Sequence, residues 1–423
     1  MSDAAGAVLA GAAGRLLPLS IPFRYFGAAT VFHLLAWAAL LAGAQELPRF
    51  GGGLGWPLAA LHLVTLGVLG MSAIGASLQL LPVATRQPLV SQRIAAAIWW
   101  LYVPGVVALG VGMGMGLATL MAIGAALIAV ALVPYACVLA LNLAGARGMP
   151  GVVAHGWAAL ASLLVLLASA LALTAIWLGG AAPDRALTLP LHVTFAAYGF
   201  MGMLSAGLAY ILVPMFALAH APDERWQLAS FAFGVLALVL AMSAVIGVAP
   251  LVLRSAAIAA GLVATGLHLW LMRAVLRQGM RRELGRSFRL IHLGWFALPA
   301  SLLLALAIAL DAPIDGLAQG FGLCLIGGWL MSFLFGVLQR IAPFLAAMHA
   351  TRGRRSPTPS SLTNDRALQV HFVCHCTALA LLALAIGLNS APIAALAACV
   401  GAVGAAGFAW FFAALVRRLP RET

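Results

Sequence analysis

The chain contains no lysine, and only 10 of its 423 residues are acidic. Charged residues of both signs make up 8% of it, against about 25% in soluble domains, so an ordinary globular enzyme is excluded. All ten carboxylates fall in polar breaks, tails or the edges of apolar runs, none in the middle of a run. Chemistry that needs a carboxylate inside a membrane therefore has no residue to perform it. The five cysteines (Cys137, Cys324, Cys374, Cys376 and Cys399) lie in or beside apolar runs, with no pairs in polar loops, which argues against a disulfide framework. No basic residue precedes Arg15, and Asp3 comes before it, so the start of the chain lacks the charged region of a cleaved signal peptide.

What fills the chain is apolar: 64% of it is hydrophobic. Twelve runs, at 24–45, 56–83, 95–116, 118–142, 152–178, 188–217, 229–248, 251–273, 290–310, 316–347, 369–388 and 391–416, are separated by polar breaks. At 1.5 Å per residue each is long enough to cross a hydrocarbon core of about 30 Å. The expected fold class is an all-α polytopic membrane protein, a single membrane domain over 1–423 in the lipid bilayer. The longest break, 348–368, contains RGRRSPTPSSLTNDR and reads as a mobile cytoplasmic loop.

The basic excess tests the count. All 23 basic residues are arginine, giving a formal net charge of +13. With twelve spans and both ends on one side, only Arg49, Arg185 and Arg254 face the opposite side. Basic residues collect on the cytoplasmic side of membrane proteins, so the bias predicts both termini in the cytoplasm of a multi-pass protein of the bacterial inner membrane. The +13 records orientation and carries no implication of nucleic acid.

An internal repeat is present. GVLGMSAIGASLQLLP (Gly67–Pro82), GFMGMLSAGLAYILVP (Gly199–Pro214) and GWLMSFLFGVLQRIAP (Gly328–Pro343) share G-x7-G-x6-P, offset by 132 and 129 residues. They occupy the second, sixth and tenth spans. Each unit opens with a span carrying His and Trp: His33 and Trp37, His155 and Trp157, His292 and Trp295. Three four-helix repeats, at about 24–142, 152–273 and 290–416, predict a pseudo-threefold arrangement, because small residues let membrane helices approach closely.

Twelve spans in three arcs, with H-x4-G-x7-G-x6-P from His62 to Pro82, resemble subunit I of the haem-copper oxidase and nitric oxide reductase superfamily; the motif is also similar to that of NnrS-type membrane proteins linked to nitric oxide stress. The resemblance implies histidine ligation of haem b near the outer ends of the central spans, with His62 as a ligand. The tenth-span positions where the family has ligands hold Phe321 and Leu323, and the seventh span has no His-His pair. The family's second haem ligand and its dinuclear copper site are therefore missing, and with no acid in the middle of a span the carboxylates of a proton-pumping oxidase are not expected either.

The histidines carry what chemistry remains. His62 and His192 lie about one turn inside the outer surface, 20 and 22 residues before the repeat proline, and are the candidate axial ligands of haem b. The alternative is that each hydrogen-bonds a neighbouring helix. Toward the inner side lie His155, His268, His292 and His371, with His33 and His375 deeper. His371 and His375, four apart in HFVCHC, share a helix face with cysteines beside them, a pattern able to chelate copper or zinc; packing between helices is the plainer reading. Tyr210, Gln339, Gln79 and Arg340 form an expected polar belt near the inner ends. Function then divides into a haem protein acting in nitric oxide or redox stress, or in haem and copper handling with respiratory-chain or maturation partners; a transporter or channel with a histidine-lined path; and a cofactor-free assembly factor.

Overall fold

The computed structural model describes residues 15–180, 184–245, 247, 249–281, 283–350 and 357–419. Among these described residues twelve helices are long and apolar enough to cross a membrane: α1 Ser20–Ala42, α2 Trp56–Thr85, α3 Gln92–Gly114, α4 Ala118–Ala144, α5 Pro150–Trp177, α6 Arg185–Ala217, α7 Glu224–Val245, α8 Pro250–Gln278, α9 Gly285–Ala309, α10 Leu317–His349, α11 Asp365–Gly387 and α12 Ala391–Arg417. No strand occurs among the described residues. Every expected span is present. Several helix ends run up to five residues beyond the apolar runs, as in α7, α8 and α9, because polar and arginine side chains continue the helix past the apolar stretch. The described acids all lie between spans or, as with Glu224 and Asp365, at the first residue of one.

Nine helices form a closed ring in the order α1, α3, α4, α5, α7, α8, α9, α11, α12 and back to α1, each touching the next. Inside it α2, α6 and α10 touch one another. These three have the most buried apolar windows, 67%, 67% and 56%, against 50% or less elsewhere. They are the helices that carry G-x7-G-x6-P.

The glycines of that motif are explained by contact distance. A Cβ built on Gly67, Gly199 or Gly328 would sit 2.6, 2.7 or 3.0 Å from Phe32, Ser162 or Ala297. One on Gly75, Gly207 or Gly336 would sit 2.8, 2.9 or 2.6 Å from Tyr25, His155 or Ile291. Eight residues are a little over two helical turns, so both glycines of each pair face one neighbour: α1 for α2, α5 for α6, α9 for α10. In lipid, helix association depends on such close packing. Pro82 and Pro214 each precede the helix end by three residues, and Arg86 (φ 56°) and Leu218 (φ 54°) then turn the chain in the left-handed conformation.

Each central helix also contains a π-helical stretch, at Leu63–Gly70, Phe195–Gly202 and Leu323–Met331. π-Helix is rare and concentrates at functional sites. Tyr102, fully buried, donates its hydroxyl to the Leu66 carbonyl inside the first stretch (3.3 Å).

Of the loop expected at 348–368, residues 351–356 lie outside those described. The remainder is more ordered than its composition suggests. A helical turn, Pro359–Leu362, is capped by Thr358, and Arg418 donates to the Ser361 and Thr363 carbonyls at 3.2 Å each.

Candidate functional site

His62 is the last α-helical residue before the first π stretch, and His192 stands three residues before the second. The two half-buried imidazoles come together near the N-terminal ends of α2 and α6, with ring centroids 6.4 Å apart and planes 27° from parallel. His62 Nδ1 lies 3.0 Å from the Leu58 carbonyl of its own helix. A carbonyl only accepts, so Nδ1 carries the proton and the Nε2 lone pair is left available. His192 lies against the backbone of Leu166 on α5, but its buried Nδ1 makes no hydrogen bond of good geometry. The sequence placed these residues near each other; the structure makes them neighbours.

The five remaining buried histidines divide into two groups. In the first, His33 (α1), His371 and His375 (α11) surround Phe335 of α10. Their centroids lie 6.0 Å apart for His33 and His371 and 5.7 Å for His371 and His375, with Phe335 4.6 Å from both His33 and His371. Trp37 Nε1 donates to His33 Nε2 at 3.0 Å, which assigns the neutral ring's proton to Nδ1. Ser332 gives its hydroxyl proton to the Gly327 carbonyl, so His375 Nε2 donates to Ser332 Oγ at 2.9 Å. His371 Nδ1 pairs with Gln339 Nε2 at 3.3 Å. His371 and His375 do share a face, but their neighbouring thiols do not join them. Cys374 packs beside Gly404 of α12, and Cys376 lines a separate cavity bounded by α9, α10 and α11. Among the described residues no group of three or more His, Cys, Asp or Glu is arranged to hold a metal ion.

The second group is His155 (α5), Tyr210 (α6) and His268 (α8). The Tyr210 ring lies 5.4 Å from His155 and 5.2 Å from His268, and its hydroxyl is 3.2 Å from His268 Nδ1. His155 donates from Nδ1 to the Gly151 carbonyl at 2.7 Å. Both histidines line a cavity of about 470 Å³ that is walled chiefly by α6 to α10 and reaches Arg254 near the N-terminal end of α8.

The expected polar belt does not form as one network. Tyr210 engages His268 and Gln339 engages His371, while Arg340 engages Ser287 Oγ at 2.7 Å and also the Leu284 carbonyl. Gln79 is fully buried with neither side-chain polar atom paired. The His–Trp pattern also differs between units. Trp37 bonds His33, and Trp295 meets His292 edge-on at 5.4 Å, whereas Trp157 is 42% exposed on the outside of the bundle. The π stretches and the cavity had no sequence signal beyond the clustered glycines.

No family model and no curated protein sequence matches the chain. A solved structure does: a heme-copper terminal oxidase dimer determined by cryo-EM, with a TM-score of 0.67 and 13% sequence identity, over 96% of this chain and 85% of that one. The fold is therefore that of a haem-copper oxidase-like polytopic membrane protein, as the motif resemblance implied.

Proposed function

We propose that this chain is an integral membrane protein that binds one b-type haem between His62 and His192, on an oxidase-like scaffold without the dinuclear copper site. The observation that carries this reading is the His62–His192 pair. The two rings stand 6.4 Å apart at their centroids, near enough that both would reach one haem iron. His62 has its other nitrogen held by a backbone carbonyl, the arrangement that orients metal-bound histidine. His192 has an unpaired buried nitrogen, which ligand binding and ring rotation would relieve. Haem supplies one-electron chemistry at iron; the chain's part is to hold it, orient its ligands and exclude water. A role in nitric oxide or redox stress, or in haem and copper handling beside respiratory-chain or maturation partners, follows from the same reading. The test is titration of haem-free protein with haemin. Saturation at about one haem per chain is expected, and unsaturable binding would overturn the reading.

The three glycine-paired contacts and three π stretches support a chain built of three like four-helix units. His375 Nε2 is held by Ser332 and His371 Nδ1 by Gln339, and the flanking thiols stand apart from them, which favours a structural role for the α11 histidines over copper or zinc; one nitrogen of each ring is buried without a partner. The arginine distribution supports cytoplasmic termini. A green fluorescent protein fused at the C-terminus of the chain in the bacterial inner membrane is expected to fluoresce, and alkaline phosphatase fused there to be inactive; the reverse pattern would invert the orientation.

A further inference from the structure

Arg340, the one arginine of α10, is half-buried nine residues before the end of that span. Its Nε donates to Ser287 Oγ at 2.7 Å, Ser287 having given its own proton to the Leu284 carbonyl, and its Nη2 donates to the same carbonyl. Its guanidinium carbon lies 5.8 Å from the centre of the Phe288 ring. All of these partners are neutral and stand at the start of α9. The charged group that acts on Arg340 is another cation, Arg281 in the turn between α8 and α9. The backbone carrying Arg281 is fixed against the end of α6, where Met280 and Arg281 donate their N–H groups to the Leu218 and Ala217 carbonyls at 3.4 and 3.1 Å. Residues 273–289 hold six arginines and one acid, Glu283, which is exposed and is not a partner of Arg340.

A charge withdrawn from water is ordinarily matched by one of opposite sign. Here two guanidiniums stand within electrostatic range of each other, and the partners of Arg340 include no carboxylate among the described residues. A guanidinium has five N–H donors; Arg340 engages its Nε and Nη2, and its Nη1 makes no bond among the described residues. We infer that Arg340 and Arg281 hold a phosphate group between them, supplied by an anionic phospholipid. Guanidinium groups pair their planar donors with the oxygens of phosphate or carboxylate. Two of them reaching in from different elements suit a tetrahedral anion better than a flat one. Depth selects the lipid source. The site lies at the first turn of α9, just before its apolar run begins at 290, the level of headgroups rather than of acyl chains. Basic pockets between spans take such headgroups. Arg277 and Arg289, both exposed, add attraction without belonging to the site.

This inference does not rest on the haem reading. It is tested on the full chain, purified in detergent and folded by circular dichroism, by titration with phosphatidylglycerol followed by native mass spectrometry. Saturable binding is expected, about tenfold tighter than that of phosphatidylcholine, whose choline cation the arginines repel. Arg281→Gln, a change at an exposed residue, is expected to raise Kd about tenfold, the loss of one charge-assisted hydrogen bond. Arg340→Lys keeps the charge but loses the fork, and is expected to weaken binding by about the same factor. Arg277→Gln removes an equal charge outside the site and should change Kd less than about twofold. Equal weakening by Arg277→Gln and Arg281→Gln would overturn the inference, leaving a diffuse basic surface, as would phosphatidylcholine binding as tightly as phosphatidylglycerol. Inorganic pyrophosphate is the soluble arm. It is expected not to displace the lipid at equal concentration; saturable binding of pyrophosphate with no retention of phosphatidylglycerol would overturn the lipid source.

Discussion

Replacing His62 with alanine is expected to lower the haem content of the purified protein at least tenfold. Even groups one shell away from a metal ligand change affinity 10- to 100-fold when lost, and His62 is the better prepared of the two candidates. Its proton is fixed on Nδ1 by the Leu58 carbonyl, so the lone pair is presented without a tautomer change. His192→Ala is expected to act differently. Because His192 lacks such an anchor, its loss should leave much of the haem bound through His62 but convert a six-coordinate, low-spin spectrum to a high-spin one. His371→Ala supplies the contrast. It removes a fully buried ring beside Phe335 and Gln339, so it should lower stability while leaving haem per folded chain unchanged. Equal haem content in wild type and His62→Ala, measured as pyridine haemochrome, would remove the residue from the site.

Gly336→Ala is the second large effect, and it acts on the scaffold. A methyl there would sit 2.5 Å from the Ser287 carbonyl and 2.6 Å from Ile291, so α9 and α10 must separate or distort. Overpacking of this kind costs about 1–3 kcal/mol, and Gly336→Leu is expected to prevent assembly. Gly266 is the matched control. It lies mid-helix in α8 with nothing within 4 Å of a built Cβ, so Gly266→Ala should be neutral or stabilising by up to about 1 kcal/mol on helix propensity. Thermal unfolding in detergent, followed by helical circular dichroism, separates the two. A Gly336→Ala protein as stable as Gly266→Ala would refute the close-packing account of G-x7-G-x6-P.

These expectations show which parts of the molecule the amino-acid order exposes. The twelve spans were readable because the hydrocarbon core imposes one length and one polarity on every helix that crosses it. Their arginine-bearing ends were less readable, since Arg225 or Arg286 lies outside an apolar run yet inside a helix. The repeat glycines could be found by register alone, but which helix each pair faces required the ring of neighbours. The His62–His192 pair was legible as two residues at similar depth on the second and sixth spans; their mutual distance depends on how α2 and α6 lean together at the centre. Other pairings were hidden. Nothing in the sequence says that Tyr210 reaches His268, that Trp37 holds His33, or that the cysteines flanking His375 face other helices. Those depend on rotation about each helix axis, which apolar residues on all sides leave unmarked. The π stretches are hidden for the same reason: LVTLGVLG and FAAYGFMG have ordinary membrane-helix compositions.

The absence of interior carboxylates bears on what a bound haem would do. With no Asp or Glu past the first residue of a described span, the buried polar groups within the spans are histidine, tyrosine, glutamine, asparagine, serine and threonine, all without acidic side chains. On the proposed reading, a haem held here would pass or sense electrons without the proton-loading carboxylates of a pump.

The most direct test of the central proposal is the absorption spectrum of the wild-type protein, purified from cells that make haem, recorded oxidised and after dithionite. A Soret band with a sharp reduced α-band, at about one haem per chain, is the expected result. Protein that is folded by circular dichroism yet shows no Soret band and no pyridine haemochrome would contradict it.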